Sequence, residues 1–303
     1  MQAGTHTSIE DLVAAELARP PPPEIQALAA EIIRRHGDSV NAVLFYGSCR
    51  RTGDMSGLLD LYVLHSGHRA FHGRRIAALL NRLLPPNVVL LTPPPGQEGV
   101  RAKVAIMSER QFGARVRRTS WDTTIWARFS QPASLLYARD EPTRIRIESI
   151  LSQAVRTAAL WALKLSRASD TPADAWQGLF AQTYRAEIRP ERHSQPELLY
   201  GANVEWFEST LSAVRAESLA PFVREGKPQP PLGWVLRRLW GKPLNLMRIM
   251  KAIFTFEGGV DYVVWKIRRH SGKHLTVTPW QRRHPILAAP SLLWRLRRLR
   301  MQR

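Results

Sequence analysis

A glycine–serine turn followed by a strand carboxylate is the feature of this sequence whose residue types and spacing could do chemistry. Gly47 and Ser48 end one short apolar run, and Asp60 lies inside the next one. Glycine lets the backbone approach a triphosphate, and a serine hydroxyl can bind phosphate oxygens together with backbone amides. A strand aspartate can hold Mg²⁺, which neutralises charge on phosphates. The pattern predicts a nucleotide-phosphate site; the alternative is a surface turn before a strand whose aspartate has a cationic partner.

The elements that must position these residues can be read from hydrophobic patterning. Four apolar runs predict strands, at 41–46, 58–65, 87–92 and 101–107. Three periodic segments predict helices, at 8–19, 23–36 and 74–84. A polar loop is expected at 47–57. In the third helix Ile76, Leu79, Leu80 and Leu83 stand at helical spacing. This order of elements predicts a small mixed α/β domain.

Beyond residue 108 the pattern becomes helical. Long periodic segments predict helices at 144–166, 172–188, 205–217 and 232–256, the last one interrupted at 241–243. The sequence therefore predicts an α+β protein in three parts. The sheet and the N-terminal helices occupy 1–140, a helical domain occupies 141–260, and a basic tail occupies 261–303.

Composition excludes several classes of protein. A single cysteine, Cys49, excludes a disulfide scaffold and a Cys-rich zinc site, and it favours a reducing compartment. No apolar run approaches 18 residues, so no membrane-spanning helix is expected. The 44 Lys and Arg residues outnumber the 25 Asp and Glu residues, giving a formal net charge of +19. Such a charge favours anionic partners: nucleic acid, nucleotide phosphates or an acidic membrane surface.

The C-terminal tail carries a concentrated part of this charge. The 42 residues after Asp261 contain 11 Lys and Arg residues and no carboxylate. A helix capped by Ser291 would place Leu292, Leu296 and Leu299 on one side. That stripe is too short to span a bilayer, so we expect the tail to lie in the interface of an anionic membrane.

The turn and the strand aspartate together resemble the layout of polymerase-β-type nucleotidyltransferases. That superfamily usually has two aspartates as Asp-x-Asp, whereas Tyr62 occupies the second place here. A metal site would then need a carboxylate from elsewhere. Glu187 in a later helix is the predicted second ligand, provided that its helix packs over the sheet, and Asp54 in the loop is the alternative.

This departure points to a narrower resemblance. The chain resembles the mitochondrial-type phosphatidate cytidylyltransferases, the translocator assembly and maintenance family of CDP-diacylglycerol synthases, whose strand motif has one aspartate followed by apolar or aromatic residues. Its Tyr-Gly-Ser-Gly motif corresponds to Tyr46-Gly47-Ser48-Cys49, with one glycine lost. Later blocks of that family resemble, in the same order, the segments at 103–108, 121–132, 184–189 and 251–255. The resemblance spans roughly 46–256 and omits the first 40 residues and the tail.

The resemblance implies a reaction of CTP with phosphatidate that yields CDP-diacylglycerol and pyrophosphate, with Mg²⁺ as cofactor. Gly47 and Ser48 would hold the CTP phosphates. Lys103 would be a catalytic phosphate contact, because a mid-strand lysine is costly without an anionic partner; the alternative is a solvated strand face. Arg128 would grip phosphate or serve as a stacked structural arginine. Arg189 would face lipid phosphate or carry a solvated charge.

The implied protein is a peripheral enzyme on the cytoplasmic face of the inner membrane. Its nucleotidyltransferase domain would be followed by a mainly helical, winged-helix-like domain and the basic amphipathic tail, with no nucleic acid partner. Two alternatives stay open from the sequence. One is a nucleotidyltransferase with a non-lipid acceptor, and the other is a non-catalytic, basic RNA-binding protein, which the missing second aspartate favours.

Overall fold

A five-stranded mixed sheet organises the first half of the chain. The computed structural model describes residues 7–55, 57–91, 100–167, 169–187, 195–217, 232–255 and 277–283. The strands are β1 (Val40–Tyr46), β2 (Leu58–His65), β3 (Asn87–Leu91), β4 (Arg101–Ser108) and β5 (Ser134–Ala138), in the order β3-β4-β2-β1-β5. Strands β2 and β4 are parallel, and the other neighbouring pairs are antiparallel.

Helices make up most of the remaining described chain, so the protein belongs to the α+β class. Several helices begin at capping side chains, as at Ser8, Asp140 and Thr171, whose oxygens accept from the backbone three residues on. The helices are α1 (Ile9–Leu17), α2 (Pro23–His36), α3 (Ser48–Thr52), α4 (His68–His72), α5 (Arg75–Leu83), α6 (Glu109–Arg115), α7 (Thr124–Phe129), α8 (Glu141–Leu165), α9 (Pro172–Ala186), α10 (Gln195–Gly201), α11 (Val204–Ala216), α12 (Leu232–Thr255) and α13 (Pro279–Arg283).

The two faces of the sheet are buried against different helices. Alternate residues such as Leu44 and Tyr62 join a core with α1 and the helices from α6 to α11. Their neighbours in sequence, such as Phe45 and Leu61, join a second core with α2. Because side chains alternate along a strand, Asp60 lies on the same face as Tyr62. The predicted site is therefore on the sheet face that packs against the helical part of the chain.

Most of the predicted elements are confirmed, some with the predicted bounds, such as α2 and β2. Three expectations were wrong. The loop at 47–57 contains the short helix α3, the stretch after 108 contains strand β5, and α12 continues through Pro243. Strand β5 exists because it pairs with β1 across the sheet. Such long-range pairing leaves no local pattern in a five-residue strand.

Helix α5 orients its apolar side chains in an unexpected direction. Helical spacing of apolar residues usually marks the side that packs on a core. Here Ile76, Leu79 and Leu83 are 74%, 53% and 68% exposed. The buried positions of this helix include Ala78 and Asn81 instead.

The sheet and the helices after it are in extensive contact. Helix α1 packs against α8, although the two are far apart in sequence. Every described element after Asp140 is a helix. Within the part of the chain that the structure describes, no helix is long and apolar enough to cross a membrane. The proposed three-part division stays a prediction, and of the predicted tail at 261–303 the structure describes only residues 277–283.

Candidate functional site

Tyr46, Asp60 and Lys103 form a row of candidate functional side chains across the sheet near the start of β2. Strand pairing sets Asp60 beside Tyr46 of β1 on one side and beside Lys103 of β4 on the other. Paired residues on neighbouring strands point to the same face of a sheet. The sheet therefore brings together the carboxylate and the lysine that the sequence predicts as catalytic residues.

Gly47 lies directly against the Asp60 carboxylate. A Cβ atom at Gly47 would stand 2.7 Å from Asp60 Oδ2, closer than such contacts occur. Gly47 also has φ of +92°, a conformation that side-chain-bearing residues rarely adopt. Both observations explain why this position holds glycine. The sequence predicted a close approach of the Gly47 backbone to phosphate, and the approach that the structure describes is to Asp60.

Helix α3 follows Gly47 and places Ser48 at the surface. Ser48 is exposed, whereas Cys49 is buried and its thiol lies 3.4 Å from the carbonyl oxygen of Leu58. Arg50 donates to Ser134 Oγ at 2.9 Å and to the buried carboxylate of Glu16. The turn is thus attached to β2 and to β5, which fixes its position relative to Asp60.

Arg128 and Glu187 form an ion pair beneath the same face. Arg128 Nη2 lies 3.7 Å from Glu187 Oε2, and Thr123 Oγ1 donates to Glu187 Oε1 at 3.4 Å. Burial opposes the charge of Arg128, but Glu187 and two tyrosines raise the pKa of its guanidinium above its ordinary value. Glu187 follows α9 directly, and α9 contacts α7, the helix that carries Arg128. In the described geometry its carboxylate faces Arg128, and its role as a metal ligand stays a prediction.

A second charged cluster surrounds the ring of Tyr62, the residue in place of the second aspartate. The hydroxyl of Tyr62 is buried, and the structure describes no hydrogen bond to it. Burial raises the pKa of Tyr62 to about 12, although Arg128 and Arg248 act in the opposite direction. A tyrosine here therefore stays neutral at ordinary pH, unlike the aspartate that the superfamily usually has at this place.

Asp122 is the carboxylate of this cluster. Its oxygens accept from Arg248 Nη2 at 2.6 Å and from the Thr124 amide at 3.1 Å, and Arg115 lies 3.5 Å away. Burial alone would raise the pKa of Asp122, but Arg248 and these hydrogen bonds lower it to about 2. The pair joins α12 to the start of α7, beside the sheet face that carries Asp60.

The charged cluster was missed by reasoning from the sequence. Asp122 could have been found as a capping residue, because aspartate before a helix commonly accepts from its first amides. Arg248 lies in a helix without carboxylates, so its sequence neighbours suggest no partner. Their pairing depends on how α12 packs, which no local pattern shows.

The structure says less about the remaining predicted site residues, Asp54 and Arg189. Asp54 is exposed in the loop after α3. Arg189 and the predicted tail helix at 291–303 lie outside the described residues. The prediction that Arg189 faces lipid phosphate therefore stays a prediction.

The carboxylate of Asp60 is the kind of ligand that Mg²⁺ prefers. The described ranges contain no group of three or more His, Cys, Asp and Glu side chains that could hold a metal. Mg²⁺ is commonly held by one or two carboxylates with the remaining ligands supplied by phosphates and water. Asp60 could supply one carboxylate to Mg²⁺ that arrives with a nucleoside triphosphate, and the second carboxylate expected from Glu187 or Asp54 stays a prediction.

Comparison with known proteins adds no family assignment. No protein-family model matches this chain, and no curated protein matches it either.

Proposed function

We propose that this chain transfers the cytidylyl group of CTP to phosphatidate, producing CDP-diacylglycerol and pyrophosphate. The observation that carries the proposal is the contact between Gly47 and the Asp60 carboxylate, with Lys103 paired beside it on the next strand. Binding of Mg²⁺ and a triphosphate needs a backbone that phosphate can approach, a carboxylate and a cation. Gly47, Asp60 and Lys103 would supply these groups.

The reaction requires that charge on the triphosphate is neutralised and that the two substrates are held in line. A phosphate oxygen of phosphatidate attacks the α-phosphorus of CTP, and the bond from that phosphorus to the bridging oxygen breaks as pyrophosphate leaves. The nucleophile is already anionic at neutral pH, so no strong general base is needed. Mg²⁺, when bound, would neutralise charge on the triphosphate. Asp60 would hold this ion, while Lys103 would contact phosphate and orient it in line.

The Gly47–Ser48 turn would bind the phosphates from the side opposite Lys103. We assign to Ser48, which is exposed at the start of α3, a hydrogen bond to a phosphate oxygen. Gly47 lies directly against Asp60, so a phosphate bound at Ser48 would lie close to the carboxylate that would hold Mg²⁺. Arg128 is already paired with Glu187, and we infer that this pair attaches α7 to the end of α9 and that Arg128 does not move to the substrate.

The choice of CTP and phosphatidate follows from the resemblance of the motifs. We infer that the sheet forms a nucleotidyltransferase domain and that the chain works at the surface of an anionic membrane. The helical part is proposed as the second domain. A winged-helix form of it would need a β-hairpin, and the described residues after 140 contain none.

The substitution Asp60→Asn tests the proposal at its central residue. Asparagine keeps the shape against Gly47 but removes the charge that would hold Mg²⁺. We expect pyrophosphate release to fall by about 10²–10³-fold, a loss of roughly 3–4 kcal/mol of transition-state stabilisation. The free energy of unfolding should stay almost unchanged.

Asp54→Asn is the matched control, because Asp54 is an exposed carboxylate just before the same strand. It should retain nearly all activity. An Asp60→Asn variant with more than a tenth of the wild-type rate would remove Asp60 from the mechanism. A loss confined to Asp54→Asn would move the metal ligand to the loop.

A further inference from the structure

The outward face of α12 is apolar, which is the reverse of an ordinary surface helix. At 100° per residue its outward side chains fall within about 140° of the helix circumference. They are between 36% and 75% exposed, and they are Leu232, Val235, Leu236, Leu239, Trp240, Leu246 and Met247. Exposed apolar area of this extent commonly marks an interaction site.

The opposite face of α12 is fixed to the protein, so the apolar face cannot turn inward. Trp234 is fully buried, and Arg237 donates to the carbonyl oxygens of Arg118 at 3.0 Å and Ser120 at 3.2 Å. At Gly241 the helix lies so close to α9 that a Cβ atom would stand 2.3 Å from the carbonyl oxygen of Ala186. The outward direction of the apolar side chains is therefore set by packing on the inner face.

A second exposed apolar face lies on helix α5, whose C-terminal end is held by α12. Helix α5 exposes Ile76, Leu79 and Leu83, and the backbone that follows it is bound by α12. Lys251 donates to the carbonyl oxygens of Leu84 and Pro86, and Arg248 Nε donates to that of Pro85 at 2.8 Å. We call the outward faces of these two helices the α5–α12 surface.

The exposed charged residues of the two helices are all basic. The helices contain no Asp or Glu, and three of their seven Lys and Arg residues are exposed. Arg75, Arg82 and Lys242 are exposed, as are Arg117 and Arg118 near the start of α12. Exposed Trp121 and Trp240 add aromatic rings of the kind that lie at membrane interfaces. Aliphatic side chains bordered by arginines match an anionic lipid surface.

We propose that the α5–α12 surface docks on an anionic lipid bilayer, with its leucines in the headgroup region and its arginines against lipid phosphates. Nucleic acid would match the charge, but it binds aromatic stacking platforms rather than exposed leucines. The inference deepens the proposed function, because phosphatidate is itself an anionic bilayer lipid. It assigns docking to described helices, in addition to the predicted tail.

Vesicle flotation with the full chain tests the inference without nucleotide. The probe is phosphatidylcholine vesicles with and without about a third of phosphatidate, at ~0.15 M salt, where the Debye length is about 8 Å. We expect binding to the anionic vesicles. The double substitution Leu239→Ser/Leu246→Ser should lower that binding by about tenfold or more, because two half-exposed apolar side chains no longer enter the lipid.

The control is Ile145→Ser/Leu198→Ser, which removes equally exposed apolar side chains, each 57% exposed, from α8 and α10. It should bind as the wild type does. Arg75→Gln/Arg82→Gln should weaken binding and reduce its dependence on salt. Pyrophosphate release from CTP with a short-chain, soluble phosphatidate should be unaffected by Leu239→Ser/Leu246→Ser.

Three outcomes would overturn the inference, and a fourth would separate it from the proposed function. Unchanged flotation of Leu239→Ser/Leu246→Ser would leave docking to the tail or to another surface. A wild-type dimer that the same substitution makes monomeric would assign the surface to a second copy of the chain. Binding of RNA in place of vesicles would assign it to nucleic acid. Failure of the proposed reaction with vesicle binding intact would reject the enzyme but keep the docking surface.

Discussion

Gly47 offers a test of how closely the turn must approach Asp60. In Gly47→Ala the new methyl group would displace the Asp60 carboxylate, and the positive φ would be strained. We expect a cost of about 1–3 kcal/mol in the free energy of unfolding. Activity should fall about tenfold or more. The measurements are urea unfolding and pyrophosphate release.

Gly53→Ala is the matched control at the other end of α3. Gly53 has φ of +73° but no atom within 4 Å of the position of a Cβ. It should lose a similar amount of stability and keep its activity. Equal activity losses in the two variants would show that strain alone, and not the contact with Asp60, explains the result.

The part of the candidate site that is close in sequence could be predicted, and the part that is distant could not. Gly47, Ser48 and Asp60 lie on two consecutive strands and their turn, so the apolar runs around them were enough to place them. The pairing of Arg128 with Glu187 depends on how α9 packs against α7. Local sequence patterns suggested Arg128 for phosphate and Glu187 for metal, because such patterns do not show that each residue is the other's partner.

At the scale of whole elements, two helical glycines distinguish the effect of packing on stability from the effect of helix propensity. Gly241 of α12 and Gly178 of α9 both lie inside helices, where alanine is favoured by roughly 1 kcal/mol. A Cβ at Gly178 meets nothing within 4 Å, but one at Gly241 would meet the Ala186 carbonyl oxygen at 2.3 Å. We expect Gly178→Ala to stabilise the protein by about 0.5–1 kcal/mol.

We expect Gly241→Ala to destabilise the protein by about 1–3 kcal/mol, as overpacking usually does. Thermal and urea unfolding of both variants measure the difference. Stabilisation by both substitutions would show that α12 does not pack against α9 as described, and it would remove the fixed inner face on which the α5–α12 surface depends.

Strand β2 and helices α4 and α5 meet at a cluster of histidines that predicts a pH dependence of stability. His65 is fully buried, its Nε2 lies 3.0 Å from Asn81 Oδ1, and His68 Nδ1 lies 2.9 Å from the same oxygen. Burial, together with smaller effects of neighbouring His68 and His72, lowers the pKa of His65 to about 4, although the hydrogen bond with Asn81 acts in the opposite direction. The folded protein therefore keeps His65 neutral where the unfolded chain protonates it.

The stabilisation from neutral His65 is complete above the unfolded pKa of about 6.5 and is lost as pH falls toward 4. Between pH 7 and pH 5 we expect a loss of about 2 kcal/mol in the free energy of unfolding from this residue. Urea unfolding at the two pH values measures it, and His65→Gln should reduce the difference. Equal stability of the wild type at pH 7 and pH 5 would contradict the buried, neutral state of His65.

Helix positions were easier to predict from the sequence than the directions in which the helices face. The bounds of α2 and β2 follow directly from periodicity and from glycine and proline signals. The apolar spacing of α5 is of the kind that usually packs on a core, whereas the structure exposes Ile76, Leu79 and Leu83. Periodicity shows that a helix has an apolar face, but it does not show whether protein or another phase covers that face.

At the scale of the whole molecule, charge and apolar surface agree in the partner they favour. The net charge of +19 favours anionic partners of every kind. The row at Asp60 favours nucleotide phosphates, and the α5–α12 surface favours lipid phosphates beside an apolar phase. A protein that joins a nucleotide to an anionic lipid would use both.

Pyrophosphate release is the measurement that tests the central claim most directly. The full chain would be incubated with Mg²⁺ and each of the four nucleoside triphosphates, with and without phosphatidate vesicles. The account predicts release that requires both CTP and phosphatidate and that Asp60→Asn reduces by about 10²–10³-fold. Release that is indifferent to phosphatidate would point to another acceptor. No release with any nucleotide under any of these conditions would contradict the proposed function and would favour a non-catalytic, basic binding protein.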